Sequence, residues 1–265
     1  MTAGERWARD ELERLRGRHF SPAAVAAFLR ASGQRAAEIR AARPDVARRA
    51  RRWELVGLAA WALAAAAGGR PFRRRLAPGV GWWAATCVML EWHLGMVESE
   101  DGRPRNLGPA DALTLTRAWL VPVIADGGSR SALAIAAMTD AMDGPVARAG
   151  TPTRAGRDLE GLVDAAVLVA ALLAARRERS LHPALAALEL ARLAAGVAFS
   201  VAMYFTRAAP PSPTVLRAGR WTTPARVGGL LLAGAGHRRA ANALLGAGSL
   251  ASIGLLAAGA GSRPS

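Results

Sequence analysis

Long apolar blocks, separated by short arginine-rich segments, restrict what this chain can fold into. A helix needs about 20 mostly apolar residues to cross a bilayer. Blocks of roughly that length occupy residues 79–97, 110–126, 160–175, 183–206 and 239–261. A soluble chain would instead distribute its apolar residues along the amphipathic faces of one or two cores. The sequence therefore predicts an all-α, polytopic membrane helix bundle.

The blocks divide the chain into three predicted parts. Membrane spans are expected at residues 53–69, 79–97, 110–126, 131–147, 158–175, 183–206, 222–236 and 239–260. Residues 98–109 read ESEDGRPRNLGP, a polar segment broken by Gly and Pro, and separate the first two spans from the rest. We predict a polar, arginine-rich arm over 1–52, a transmembrane hairpin and linker over 53–105, and a six-helix catalytic core over 106–265.

Charge next to the first span indicates its orientation. Arg48, Arg49, Arg51 and Arg52 directly precede it, and such clusters mark the cytoplasmic side of a membrane. The loop 70–78 is also rich in arginine, which conflicts with placing it outside. The first fifty residues are charged, so we expect insertion through internal spans without a cleavable signal peptide. We expect an integral protein of the cell (inner or plasma) membrane with its active site facing the cytoplasm.

The basic composition points to phosphate-bearing partners. All 35 basic residues are arginine, and the formal net charge is +15. Arginine binds phosphate through a bidentate fork, so membrane lipid headgroups and phosphorylated substrates are the expected partners. The charges flank apolar blocks and form no basic module interleaved with aromatic residues, which argues against nucleic acid. Cys87 is the only cysteine, so neither an intrachain disulfide nor a cysteine metal site is possible.

Carboxylates concentrate at the junction of the fourth and fifth predicted spans. Asp140 and Asp143 are three residues apart, and Glu160 and Asp164 are four apart, so each pair shares one helical face. The connecting loop is short, which makes the two helices antiparallel neighbours and brings the pairs together. Clustered carboxylates in a low-dielectric site need a compensating charge. Oxygen ligands favour Mg²⁺ or Mn²⁺.

The junction resembles the signature of the CDP-alcohol phosphatidyltransferases, D-x2-D-G-x2-A-R-x8-G-x3-D-x3-D. Matching positions are Asp140, Asp143, Gly144, Ala147, Arg148, Gly156, Glu160 and Asp164. Two departures are a spacer of seven residues before Gly156 and a glutamate at Glu160. Upstream, Asp111, Thr114, Arg117 and Pro122 resemble the family's N-x2-T-x2-R stretch and later proline. Downstream, residues 219–223 resemble its G-K-x-x-T stretch.

The resemblance implies an enzyme that transfers a phosphatidyl group from CDP-diacylglycerol to an alcohol and releases CMP. It implies a divalent metal on Asp140, Asp143, Glu160 and Asp164, with Asp164 as the general base. The expected donor-binding residues are Thr114, Gly144, Ala147, Arg148 and Gly156. Proteins of this family are commonly homodimers, so we expect a homodimer.

The acceptor alcohol is open at this point. Arg192 lies inside an apolar helix, where it either binds an acceptor phosphate or is neutralised by Glu189, three residues earlier. Arg154 and Arg220 are further candidates for acceptor binding. The preferred acceptor is glycerol 3-phosphate, with inositol phosphate and serine as alternatives. An ion-coupled transporter and a catalytically degenerate paralogue are the competing functions.

Overall fold

The fold was analysed in a computed structural model that describes residues 2–67, 70–99, 101–127, 130–150, 153–207 and 213–261. Within its helices, the side chains of residues 71, 148, 200, 206, 207, 213–221 and 256–261 lie outside the description. Its α-helices are α1 Ala3–Gly17, α2 Pro22–Ala42, α3 Pro44–Ala66, α4 Arg70–Arg74, α5 Leu76–His93, α6 Pro109–Asp126, α7 Arg130–Ala149, α8 Arg154–Arg177, α9 Pro183–Ala202, α10 Pro213–Gly234 and α11 Arg238–Gly261. In the described ranges the only β-structure is an isolated bridge between Glu98 and Pro104, so the all-α class is confirmed.

Helix starts follow proline at the first helical position. Proline is favoured there because the first turn leaves its amide N–H groups unpaired and proline already has a helical φ. Five helices begin in this way, α2, α3, α6, α9 and α10. Ser21 caps α2 by accepting a hydrogen bond from the Ala24 amide. These prolines are readable from the sequence alone.

Every predicted span overlaps a helix, but composition supports membrane crossing for one segment only. Among the described residues, Pro183–Phe205 is long enough and apolar enough to cross a bilayer. The other spans fall short of that standard, so the polytopic arrangement stays a prediction. Two helices begin well before the predicted spans, α3 at Pro44 and α10 at Pro213. The predicted spans cover the C-terminal parts of these helices, because their N-terminal parts contain arginines.

The chain divides into two compact units that cut across the predicted parts. The first unit contains residues 1–123 and 135–167, and the second contains residues 124–134 and 168–265. The predicted boundary at residues 52 and 53 falls inside α3, which is continuous from Pro44 to Ala66. The predicted six-helix core is shared between the two units.

Within the first unit, arginines of the N-terminal arm bind the polar segment before α6. Arg43 Nη1 donates to the Val97 carbonyl at 2.8 Å, and Arg49 Nη1 donates to the Leu107 carbonyl at 2.6 Å. Asn106 adds a hydrogen bond to Asp45 at 3.1 Å. Hydrogen bonds from a charged donor are stronger than neutral ones. The segment that reads as a flexible linker is therefore held by the arm along its length.

Helices α3 and α5 pack through two reciprocal contacts between glycine and tryptophan. The ring of Trp83 lies against Gly57, and the ring of Trp61 lies against Gly79. A Cβ atom at either glycine would overlap the facing ring. The Trp83 indole also donates to the Glu54 carbonyl at 2.9 Å. The two helices can approach closely because neither Gly57 nor Gly79 has a side chain.

We expect Gly57→Ala to lower the free energy of unfolding by about 1–3 kcal/mol, because its methyl group would overpack against Trp83. Thermal unfolding in detergent measures the change. Gly81→Ala is the matched control, since a Cβ there meets nothing within 4 Å. Equal stability of the two variants would contradict the packing account.

Candidate active site

Three helices of the first unit bring the predicted site residues together. Thr114 and Arg117 come from α6, Asp140 and Asp143 come from α7, and Asp164 comes from α8. The turn from α7 to α8 is short enough to make these helices antiparallel neighbours along the chain. The predicted convergence of the two carboxylate pairs is therefore borne out in outline.

Arg117 lies at the centre of the site and is the residue that contacts most of its carboxylates. Its side chain is only 1% exposed. Nη2 donates to Asp143 Oδ2 at 2.9 Å, Nε lies 3.2 Å from Asp164 Oδ1, and Nη1 lies 3.5 Å from Asp140 Oδ1. Nε and Nη1 make no hydrogen bond of good geometry in the described part of the chain. One buried guanidinium thus links both catalytic helices to α6.

Three carboxylates form a triplet with the spacing of a metal site. Single oxygens of Asp140, Glu160 and Asp164 all lie within 4.8 Å of one another. The side chains of Asp140 and Asp164 are 43% and 42% exposed, so the triplet is open to a ligand. With Asp143, the group carries four negative charges against the single charge of Arg117. A hard divalent cation with oxygen ligands fits this excess.

Asp143 lies outside the triplet and is held from the α6 side. It is buried, and its Oδ2 accepts hydrogen bonds from Arg117 and from the Thr114 hydroxyl at 3.1 Å. Thr114, predicted as a donor-binding residue, therefore orients a carboxylate in this structure. Asp143 still faces the same arginine as two members of the triplet.

The N-terminus of α8 is tied to α6 by a buried aspartate. Asp111 accepts hydrogen bonds from the Gly108 amide at 2.7 Å and from the Thr153 hydroxyl at 2.9 Å. The Thr153 hydroxyl in turn accepts from the Gly156 amide at 2.9 Å, which caps α8. A Cβ at Gly156 would overlap the carboxylate of Asp111. This glycine is thus required for helix packing, in addition to its predicted part in donor binding.

The remaining predicted donor residues lie on α7. Gly144 and Ala147 are half-buried on the turns that follow Asp143. The Arg148 side chain lies outside the described residues, as does that of Arg220, a predicted acceptor residue on α10. Next to Glu160, Gly161 faces open space, and a Cβ there meets nothing within 4 Å.

Arg154, another predicted acceptor residue, is engaged by the N-terminal arm. It is buried and donates hydrogen bonds to Glu5 and, at 3.4 Å, to the Thr2 hydroxyl. Glu98 Oε1 lies 3.7 Å away. The hydrogen bond from Arg154 lowers the pKa of Glu5 to about 2, so Glu5 stays ionised near neutral pH. Arg154 thereby fixes the arm to the start of α8.

Arg192 is paired with a carboxylate in the second unit. Its Nε and Nη2 donate to both oxygens of Glu189 at 2.8 and 2.7 Å. Glu189 is fully buried and also accepts from the Ser249 hydroxyl at 2.9 Å. Arg226 Nε lies 3.5 Å from the same carboxylate. The arrangement holds two arginines on one glutamate, which leaves one positive charge in excess.

Sequence reasoning undervalued Arg117 and Asp111 and missed Arg226. The sequence brings in Asp111 and Arg117 only as positions that resemble the family's flanking stretch. Their signal was the spacing of three between Asp111, Thr114 and Arg117, which places all three on one face of α6. Arg226 follows the downstream stretch on α10 at helical spacing, a much weaker signal.

A carboxylate triplet beside a buried arginine is the kind of site that can hold a divalent cation together with phosphates. Residues 107–236 match the family model described as CDP-alcohol phosphatidyltransferase, and this domain of the chain belongs to that family. Members of the family are CDP-alcohol phosphotransferases, so the protein is an enzyme of that class. The family is membrane-associated and typically uses a divalent metal. No curated protein and no solved structure matches the chain.

We expect Arg117→Leu to lower the free energy of unfolding by about 3–5 kcal/mol, because it leaves the buried Asp143 without its cation. Arg103→Leu removes an exposed arginine that is paired with one aspartate at 2.8 Å, and should change stability by less than about 1 kcal/mol. Chemical unfolding in detergent compares them. A loss no larger than that of Arg103→Leu would refute the central role of Arg117.

Gly156→Ala should cost about 1–3 kcal/mol of stability, because the added methyl group collides with Asp111 and Thr153. Gly161→Ala, five residues along the same helix, adds its methyl group to open space and should leave thermal unfolding unchanged. If both variants unfold at the wild-type temperature, Gly156 has no packing role.

Proposed function

We propose that the protein is a polytopic membrane enzyme that transfers a phosphatidyl group from CDP-diacylglycerol to an alcohol acceptor and releases CMP. The observation that carries the proposal is the carboxylate triplet held beside the buried Arg117, within the segment that belongs to the family. In this reaction the acceptor oxygen forms a bond to the phosphorus of the phosphatidyl group. The bond from that phosphorus to the CMP oxygen breaks.

The described residues fit a divalent cation, Mg²⁺ or Mn²⁺. Asp140, Glu160 and Asp164 would supply oxygen ligands, and Asp143 would add a fourth carboxylate from α7. When bound, such a cation neutralises the pyrophosphate and stabilises the charge that develops on the departing CMP. Glu160 replaces the aspartate of the family signature, and its oxygen still lies within the 4.8 Å triplet. This favours an intact site over a degenerate one.

Asp164 is the proposed general base. Its carboxylate is 42% exposed, so an acceptor hydroxyl can approach it, and Arg117 Nε lies 3.2 Å from its Oδ1. One oxygen is thereby oriented by a buried arginine, while the carboxylate takes the proton from the attacking hydroxyl. Asp143 and Thr114 keep the same arginine in place.

Donor binding is assigned to the surface of α7 and α8 around this site. Gly144 and Ala147 are small residues on α7, and Gly161 leaves open space next to Glu160. A flat nucleotide can lie against such a surface. Gly156 is kept as a donor residue through its backbone, because Asp111 fills the space beside its α-carbon. Thr114 contributes through Asp143, and Arg148 would bind the donor phosphates.

Glycerol 3-phosphate is the preferred acceptor, with inositol phosphate and serine as alternatives. Arg192 and Arg226 share the single buried carboxylate of Glu189 in the second unit, which leaves one positive charge in excess there. This excess supports Arg192 as a residue that binds an anionic acceptor group. Arg154 and Arg220 are retained as further acceptor candidates.

The proposal includes the setting of the enzyme. The apolar Pro183–Phe205 segment and the arginines in the N-terminal half of α3 support insertion in the cell membrane, with the catalytic residues on the cytoplasmic side. A homodimer and surrounding membrane lipid complete the expected assembly. An ion-coupled transporter is disfavoured, because its carboxylates would be spread through the bilayer midplane rather than gathered at one helix junction.

The test is release of CMP from CDP-diacylglycerol by the purified full-length protein, with Mn²⁺ or Mg²⁺ and a panel of glycerol 3-phosphate, inositol phosphate and serine. We expect turnover that depends on one acceptor and is abolished by a chelator. Asp164→Asn should lower the rate by about 10²–10⁴-fold. Asp158→Asn is the matched control, because this exposed aspartate on the same helix has one ion pair in the described part of the chain, with Arg157 at 3.8 Å.

No CMP release with any acceptor would refute the enzymatic function and favour the degenerate paralogue. Full activity of Asp164→Asn would refute its role as base while leaving the reaction class intact. Ion flux in proteoliposomes without CMP release would favour the transporter.

A further inference from the structure

A cleft in the first unit, outside the segment that matches the family, combines arginines with an apolar wall. It has a volume of about 790 Å³ and lies between α2, α3 and α5. Its charged lining residues are Arg40, Arg48, Arg51, Glu54 and Glu91. The proposed reaction uses none of these residues.

Two of the arginines offer donors to a ligand. Arg48 donates from Nε to the Pro44 carbonyl of its own helix at 3.1 Å, which leaves both terminal nitrogens available. Arg51 has no hydrogen bond and no close ion pair in the described part of the chain. Both residues are exposed and lie three apart on α3, so their guanidinium groups project from the same face. Two such groups on one face suit a phosphate oxygen cluster.

The inner part of the cleft offers an acceptor. Arg40 forms an ion pair with Glu91 at 2.5 Å, which satisfies that carboxylate. Glu54 Oε1 is buried and accepts no hydrogen bond from the described residues, while the same carboxyl group is within hydrogen-bond reach of Glu91. A buried acceptor without a donor costs free energy unless a ligand supplies one. A headgroup that carries hydroxyl groups beyond its phosphate would do so.

The remaining wall of the cleft is apolar and faces outwards. Val88 and Trp92 are 51% and 42% exposed and lie four residues apart on α5. Trp is typical of the membrane–water boundary, and arginines directly before an apolar block lie at the headgroup level. The cleft therefore combines cations, a buried acceptor and an apolar wall, which are the groups that the phosphate, a headgroup hydroxyl and an acyl chain of one phospholipid would contact.

We propose that this cleft binds one anionic phospholipid with a hydroxyl-bearing headgroup, such as phosphatidylglycerol. The phosphate binds Arg48 and Arg51, a headgroup hydroxyl donates to Glu54, and an acyl chain lies along Val88 and Trp92. The site is separate from the carboxylate triplet and does not depend on the proposed reaction.

The test is native mass spectrometry of the detergent-purified full-length protein, titrated with dioctanoyl phosphatidylglycerol, dioctanoyl phosphatidylcholine or inorganic phosphate. We expect one tightly bound phosphatidylglycerol, with binding reduced about tenfold or more in Arg48→Gln/Arg51→Gln. The matched control is Arg30→Gln/Arg52→Gln. Arg30 also donates only to the carbonyl four residues earlier, Arg52 is the neighbour of Arg51, and neither lines the cleft.

Equal losses in the two double variants would overturn the proposal, because general charge would then explain binding. Equal affinity for phosphatidylcholine would overturn the role of the anion and the hydroxyl groups. If inorganic phosphate binds as tightly as the lipid, the lipid is not the ligand and the proposal is wrong. Asp164→Asn should retain the bound lipid, and its loss in that variant would place the lipid in the active site instead.

Discussion

The ion pairs of Arg117 hold the catalytic part of the molecule together. A buried guanidinium is costly unless its charge is compensated, and here Asp140, Asp143 and Asp164 provide that compensation from two other helices. The carboxylates in turn are close enough to repel one another, and the arginine reduces that repulsion. Arg117 contributes one positive charge against four carboxylates. It therefore orients the carboxylates without neutralising all of them. The remaining negative charge makes the triplet suitable for a divalent metal.

A second set of contacts determines where α8 begins and therefore where Glu160 and Asp164 lie. Asp111 links the start of α6 to the cap of α8 through Thr153, and Gly156 leaves room for the aspartate. Arg154, two residues before Gly156, joins the same helix start to the N-terminal arm through Glu5. The spacer is one residue shorter than in the family signature, yet α8 still presents both carboxylates to α7. Capping by Thr153 accounts for this without any need for a longer loop.

The N-terminal arm has a structural role in the first unit that its composition does not suggest. Its arginines bind carbonyl oxygens along the segment before α6, and its helices form two walls of the phospholipid cleft. Lipid bound in that cleft would contact α3, which also holds Leu107 just ahead of α6. The segment that matches the family is thus attached to the helix that carries the proposed lipid site.

The sequence by itself determined the helical class, the helix starts that are marked by proline and the presence of the carboxylates at one junction. Apolar block length, proline at the first helical position and carboxylate spacing are local properties, so they can be read without knowing the fold. It did not determine which partner each charge takes. Arg117, Arg154 and Arg192 look alike in sequence, as arginines at or inside apolar helices. Glu189 lies three residues before Arg192, so the sequence already offered that pair as one of two alternatives. Only tertiary packing decided that Arg117 joins three aspartates and that Arg154 joins Glu5 of the arm, because partners far apart in the chain are chosen by how the helices meet.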